Sequence, residues 1–331
     1  MNYYIESRNT DPARNLALEQ FVFDSLDRGH SYFMLWQNNN SIIVGKHQNT
    51  AAEINAAFVN AHNISVVRRL SGGGAVYHDM GNLNFTFITD TGTENAIDFA
   101  AFCRPIQEAL VSFGVPAEFS GRNDMTIEGK KFSGNAQYIK SGRVMHHGTL
   151  LYDSNMEVLS KALNVTDDKI ESKGIKSVKS RVANIRPFMK TDMPMNEFWD
   201  SLKKYMFSAF DMKEYNLSAE QETEVEKLKE RVYSQWDWNY GASPSHNIRK
   251  VRRIENCGKF DILLDVEKGG IINNIAFYGD FFGNDDPAEL AAILKGRHFQ
   301  YNELEDTLND INISRFFRNL DTRTFLALLF E

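Results

Sequence analysis

The sequence predicts an α+β protein with one large domain followed by a small one, and three observations carry that expectation. Its 331 residues, 42% apolar with only seven prolines, suffice for a sizeable core and more than one domain. Three consecutive glycines, Gly72 to Gly74, lie between two strand-like runs within 66–88, not between a strand and a helix. Gly-Ala-Ser-Pro-Ser at 241–245 reads as a linker, and beyond it strands come first and helices after, enough for an independent α+β unit. The expected division is 1–245 and 246–331.

Asp11 and Pro12 open the first helix as N-cap and first helical residue, and Leu18, Phe21, Val22 and Leu26 form its apolar stripe. Strands are expected at 32–36, ending on Trp36, and at 41–44, joined by a turn at 37–40. From position alone Trp36 fits the core or the floor of a pocket. In the stretch 66–88 the glycines suit backbone that takes unusual dihedrals or approaches a ligand closely. Successive N–H groups there could cradle an anion, with Arg68 and Arg69 supplying charge and planar forks, or the run could be a bare hairpin. Leu83, Phe85 and Phe87 then alternate with Asn84 and Thr86, the pattern of a half-buried strand.

A helix over 97–113 ends at Gly114, with Pro105 either kinking it or marking its true first turn, and Cys103 reads as a small buried hydrophobe. The block 120–138 predicts a hairpin around Glu128 and Gly129. Alternation places Asp124 and Thr126 on one face of it and Lys131, Ser133 and Asn135 on one face of the returning strand. Lys131 among small, sheet-forming neighbours is either a solvated edge residue or a fixed cation in a site. In the next strand His146 and His147 point to opposite faces, which argues against a metal pair and leaves one of them buried.

Residues 161–190 hold eight Lys or Arg against three acids, so 173–181 reads as a solvated loop or a flap over an anion. Ser218 and Gln221 form a capping box ahead of a stripe of Val225, Leu228 and Val232. In the second domain nothing looks catalytic. A net charge of −7 argues against nucleic acid as a partner, and no long apolar run or signal-like N-terminus occurs, so the expectation is a cytoplasmic protein without a membrane partner. Two distant cysteines and eight scattered histidines give neither a disulfide framework nor a metal cluster.

Taken together, the motifs resemble the lipoate-protein ligase family, in the fold group shared with biotin ligases and octanoyltransferases. They are Arg-Arg-x-Ser-Gly-Gly-Gly-Ala-Val-x-His-Asp-x-Gly-Asn at 68–82, Ser-Gly-Arg-Asn-Asp at 120–124, Lys-x-x-Gly-x-Ala at 131–136 and His-His-Gly-Thr-Leu-Leu at 146–151. Lys-Gly-Ile-Lys-Ser-Val-x-Ser-Arg-Val at 173–182 and Trp-x-Trp-Asn-Tyr-Gly at 236–241 complete the set, and the resemblance spans essentially the whole chain.

The resemblance implies a large mixed-sheet catalytic domain of the biotin/lipoate ligase type, with a small accessory domain. It implies an enzyme that activates free lipoate with ATP to lipoyl-adenylate and pyrophosphate, then acylates a lysine of lipoyl-domain proteins, among them E2 subunits and the glycine cleavage H protein. Lys131 is the implied catalytic residue, bridging the lipoate carboxylate and the α-phosphate. Arg69, Gly74, Ala75, Val76, Tyr77 and Lys131 are implied for ATP, and Trp36, Arg69, Gly73, Gly74, Lys131 and His147 for lipoate. Ser71, His78, Asp79, Asn123, Asp124 and Gly134 are implied as supporting residues, with Asp124 also the candidate for Mg²⁺.

This fits the chemistry: a carboxylate nucleophile needs no base, only fixed cations and N–H donors to overcome its repulsion from a triphosphate. The nearest rival, an acyl transferase working from a thioester, needs an exposed cysteine of lowered pKa beside Lys131. A non-catalytic lipoate or nucleotide carrier would show the same motifs but release no pyrophosphate.

Overall fold

The computed structural model describes residues 1–91, 98–121, 123–163, 181–240, 247–267 and 270–330. Eleven strands are described in the first 240 residues: β1 (Asn2–Ser7), β2 (Ser31–Trp36), β3 (Ser41–Val44), β4 (Ser65–Arg68), β5 (Val76–His78), β6 (Asn82–Asp90), β7 (Ala117–Ser120), β8 (Asp124–Ile127), β9 (Lys130–Lys140), β10 (Arg143–Leu151) and β11 (Met212–Glu214). Eight of them form one sheet in the order β11-β1-β2-β6-β10-β9-β8-β7. It is mixed: β1 runs parallel to both neighbours, and the remaining pairs are antiparallel. The other three form a small sheet in the order β4-β3-β5.

Both faces of the large sheet are covered. Helices Phe99–Ser112 and Met195–Phe210 pack on one face over Phe33, Leu35, Phe85 and Phe132. Helix Pro12–Ser25 and the small sheet close the other face over Met34, Trp36 and Met145. The polar members of β6 are therefore not solvated as alternation suggests: Asn84 and Thr86 are 1% and 0% exposed. A strand between two layers must bury both faces, whatever its side-chain pattern.

Local signals hold where the chain decides its own geometry. Asp11 Oδ1 accepts the Ala13 N–H at 2.9 Å, and the Ser218–Gln221 capping box is formed. Glu128 and Gly129 have φ of 51° and 73°, the pair of positive values a two-residue hairpin turn needs. Pro105 lies inside its helix.

Alternation fails one turn further on. The β8–β9 register shifts between Met125 and Thr126, so Thr126 pairs with Lys131 and Met125 with Ser133. This bulge places Lys131 on the face of Asp124 and Gly134 and turns Ser133 and Asn135 to the opposite face. Both histidines of β10 are buried, at 0% and 7% exposed for His146 and His147.

The second body is a three-stranded meander, β12 (Ile248–Ile254), β13 (Gly258–Val266) and β14 (Ile272–Gly279), backed by helices from Pro287 onward around its own core of Phe260, Phe277, Phe317 and Phe325. The first of these strands carries no alternating signal, its sequence being Ile-Arg-Lys-Val-Arg-Arg-Ile. We propose the division between the two bodies at 245/246; that position falls within 241–246, outside the described residues.

Candidate active site

In the small sheet β4 runs parallel to β3 and β5 antiparallel to it, on opposite sides. The glycine segment therefore crosses the end of β3 instead of making a hairpin. Arg68, 7% exposed, is spent entirely on structure. Its guanidinium donates to the carbonyls of Gly45, Lys46 and Gln48 at 2.9, 3.0 and 2.7 Å, to Trp238 O at 2.8 Å, and to Thr50 Oγ1 and Asn239 O. The expectation that Arg68 adds an anion-binding fork is thus corrected.

Arg69 also holds the loop. It donates to Ser71 Oγ, Ile43 O, Gly72 O and Gly74 O at 3.0, 3.1, 2.7 and 2.8 Å. Four of its five N–H groups are committed, which leaves one on Nη1. Burial pushes its pKa down to about 10.

The glycines have distinct reasons. A Cβ on Gly72 would sit 2.4 Å from the Phe281 carbonyl oxygen of the second body, and Gly73 has φ +88° with the Phe282 ring 3.1 Å from any Cβ. Gly74 has nothing within 4 Å of a Cβ, so it alone opens onto free space. Two of the three glycines make room for protein, and the third faces the open cleft. Gly72→Ala is expected to cost about 1–3 kcal/mol of stability, because the clash is with backbone that cannot rotate away. Denaturant unfolding measures it, and an unchanged midpoint would contradict the close packing.

Lys131 stands on β9 with Nζ 2.8 Å from Asp124 Oδ1. Its N–H donates to Arg181 O at 2.8 Å and its carbonyl accepts from Ala183 at 2.9 Å, so it is not on a free edge. A Cβ on Gly134 would meet Lys131 Nζ at 2.8 Å, so the lysine lies across a strand that has no side chain there. Asn123 ties the neighbouring loop down, its Nδ2 donating to Asn135 O at 2.6 Å. The cation is held by backbone on both sides, and its head group is half-exposed.

Behind the loop runs a buried polar chain. Ser71 Oγ lies 2.6 Å from His147 Nε2, and His147 Nδ1 lies 3.1 Å from Glu19 Oε1. Glu19 also accepts from Thr86 Oγ1, which accepts the Trp36 Nε1–H at 2.9 Å. Arg69, Ser71, His147, Glu19, Thr86 and Trp36 are thereby linked from the glycine loop to the indole. Glu19 is 1% exposed and was not singled out by its sequence context, a carboxylate beside a helix's apolar stripe. Asp79 fixes the next turn, accepting from Gly81 N at 2.9 Å and Asn155 N at 2.7 Å.

Trp36, Arg69, Asn123, Asp124, Lys131, Gly134 and His147 line one cleft of about 670 Å³ between the large sheet, the small sheet and the glycine loop. Trp36 pairs with Asn84, Asn84 with Thr149, and Thr149 Oγ1 accepts the Gly134 N–H at 3.1 Å. The cleft floor is thus a row across four strands, roughly 14 Å long at the usual strand spacing, from an indole at one end to Lys131 at the other. Gly73, Gly74, Ala75 and Val76 line it too, whereas Tyr77 does not and donates instead to Asn40 Oδ1 at 3.0 Å.

The second body contributes more than its sequence suggests: Arg253 and Asp280 also line the cleft, and Phe282 seats against Phe99 at 5.4 Å between ring centroids. Of the basic segment 173–181, residues 173–180 lie outside the described residues, and Arg181 lines the cleft. Both cysteines are buried, Cys103 at 0% and Cys257 at 1% exposed, and burial pushes the Cys103 thiol up to about 12. Among the described residues no group of three His, Cys, Asp or Glu could hold a metal, and no helix is long and apolar enough to cross a membrane.

Two family models match, the lipoyl protein ligase A/B catalytic domain over residues 11–207 and the bacterial lipoate protein ligase C-terminus over 243–329. A lipoate-protein ligase of Bacillus subtilis (strain 168) is 42% identical over 331 residues, covering 99% of each chain. The crystal structure of P. falciparum LipL1 in complex with lipoate has a TM-score of 0.79 at 24% identity and is matched over 99% of this chain and 97% of that one. A bi-partite lipoate protein ligase of Thermoplasma acidophilum, studied with its E2 lipoyl domain, has a TM-score of 0.62 at 26% identity over 75% of this chain and 99% of that one.

Proposed function

The chain belongs to the lipoate-protein ligase family, and from that premise we propose that it activates free lipoate with ATP in the cleft described and passes the lipoyl group to a lysine of an acceptor protein. The observation that carries this reading is one cleft joining an indole-walled end to a backbone-anchored lysine beside the open Gly74. Lipoate has that polarity: an aliphatic tail and ring for the Trp36 end, a carboxylate for Lys131.

In the first step a lipoate carboxylate oxygen attacks the α-phosphorus, the bond from that phosphorus to the bridging oxygen breaks, and pyrophosphate leaves. Lys131 draws the two anions together and stabilises charge on the α-phosphate. Asp124 holds the ammonium in place until substrate arrives. The loop's ligand-facing part is Gly74 to Val76, with the remaining Arg69 N–H, and its rigidity comes from the buried chain through Ser71 and His147. In the second step the acceptor amine attacks the acyl carbon, the bond from that carbon to the phosphate oxygen breaks, AMP leaves and the amine's proton passes to solvent.

ATP brings Mg²⁺ on its own phosphates, and among the described residues the cleft offers the ion two separate carboxylates, Asp124 beside Lys131 and Asp280 beside Arg253, which suits a cation that keeps most of its water. Mg²⁺ would supply further charge neutralisation there. The acceptors are lipoyl domains of E2 subunits and the glycine cleavage H protein, reached as folded proteins at the mouth of the cleft.

A thioester-dependent transfer is disfavoured because neither cysteine is exposed. Purified protein with ATP, Mg²⁺, lipoate and an apo lipoyl domain is expected to release pyrophosphate and add one lipoyl mass to one lysine. Acyl transfer from an octanoylated carrier protein with no pyrophosphate would reassign it as a transferase, and ligand binding with neither product would make it a carrier.

A further inference from the structure

At the Trp36 end of the cleft two hydrogen-bond donors have no acceptor among the described residues, Nε2 of His78 and Nδ2 of Asn84. Both side chains line the cleft and are 2% and 1% exposed. The His78 ring lies 6.2 Å from the Trp36 indole between centroids, and Asn84 is the cross-strand partner of Trp36.

The donor character of His78 is set by the groups behind it. Asn15 Oδ1 accepts from Ser7 Oγ at 2.7 Å and Asn15 Nδ2 donates to Asn38 Oδ1 at 2.9 Å, which leaves Asn38 Nδ2 facing His78 Nδ1 at 3.1 Å. An amide nitrogen can only donate, so Nδ1 accepts and the proton of the neutral ring sits on Nε2. Burial, with Arg69 and His147 close by, pushes the His78 pKa down to about 3, which keeps the ring neutral. Asn84 shares one bond with Asn82, whose Nδ2 donates to Asn84 Oδ1 at 2.9 Å, and the outer atoms of the pair, Asn84 Nδ2 and Asn82 Oδ1, both lack a partner, so the pair can turn over together and Asn84 presents the group that the ligand calls for.

Buried donors without a partner are costly, and two of them beside an indole point to an acceptor supplied by the ligand. An unsubstituted alkyl tail has no acceptor. The sulfurs of a dithiolane carry lone pairs and accept weakly. We propose that His78 Nε2–H and Asn84 Nδ2–H donate to the sulfur end of the acyl substrate and so set the preference for a dithiolane-bearing acid over a plain eight-carbon acid. The proposal deepens the lipoate reading above and rests on it.

The test compares lipoate with octanoate on the full chain, by steady-state pyrophosphate release and by calorimetric binding, in the wild type, Asn84→Leu and His78→Phe. The wild type is expected to prefer lipoate roughly tenfold, because a site with polar groups left unpaired rejects the analogue that cannot pair them. Each variant is expected to shrink that ratio by about threefold or more, through weaker lipoate binding with octanoate equal or better. A merely structural role would instead slow both acids by the same factor, and that result overturns the proposal. Equal binding of the two acids to the wild type overturns it without any variant, and His78→Phe reads the ratio where Asn84→Leu does not fold. A wild type that binds lipoate selectively but releases no pyrophosphate would sink the ligase reading while leaving the donor pair intact.

Discussion

Lys131→Ala is expected to lower the rate of adenylate formation about a thousandfold, the scale for losing a preorganised group that meets developing charge on the reacting atoms. The reason is positional. Lys131 is pinned by backbone bonds to Arg181 and Ala183, and its ammonium lies over Gly134 beside Asp124. Removing it leaves Asp124 as an uncompensated negative charge facing two anionic substrates, so the variant loses a cation and gains a net repulsion. Stability should move by less than about 1 kcal/mol, because the pair is more than a third exposed on both sides and water screens it.

Lipoate-dependent exchange of pyrophosphate into ATP reads the loss, and a melting curve reads the fold. Arginine is a poor replacement: its planar fork cannot occupy the space that the narrow ammonium takes across Gly134. Gly134→Ala is expected to act on the same step, displacing the lysine. Full exchange activity in Lys131→Ala would remove Lys131 from the mechanism.

Arg68→Met should cost about 3–5 kcal/mol of stability, as expected when a buried charged group satisfying several carbonyls is lost. The side chain ties the 45–48 turn to the segment Trp236–Tyr240, while its backbone N–H donates to Asn239 Oδ1 at 2.9 Å and its carbonyl accepts from Trp238 Nε1 at 2.9 Å. Arg68→Lys should recover little, since three donors on a flexible stem cannot serve acceptors arranged around a planar fork. Equilibrium urea unfolding distinguishes the outcomes. A midpoint within error of the wild type would mean that the turn and the helix hold without this link.

The two adjacent arginines show where sequence reading reaches its limit. Side by side before three glycines they look equivalent, and both suit an anion. In the folded chain Arg68 faces carbonyls of its own protein, whereas Arg69 keeps one N–H uncommitted and lines the cleft, a difference made by residues from 43 to 239 in sequence. Asn84 and Thr86 read as a wet strand face and are buried, because the helix Pro12–Ser25 and the small sheet cover them. Glu19 looks like the polar side of an amphipathic helix, yet it sits at the centre of the chain from Ser71 to Trp36.

Local geometry was legible: the N-caps, the positive-φ turn at Glu128 and Gly129, and the lysine out of place among small residues are decided by a few adjacent side chains. So was the family, since several long motifs in fixed order leave few alternatives. What only the tertiary structure decided is which face each polar group serves. The β8–β9 bulge chose the face of Lys131, and the second body took up Gly72 and Gly73 and delivered Arg253 and Asp280 to the cleft. Capping, turn type and periodicity are short-range properties of a chain, whereas burial and hydrogen-bond partnership depend on segments that meet only once it is folded.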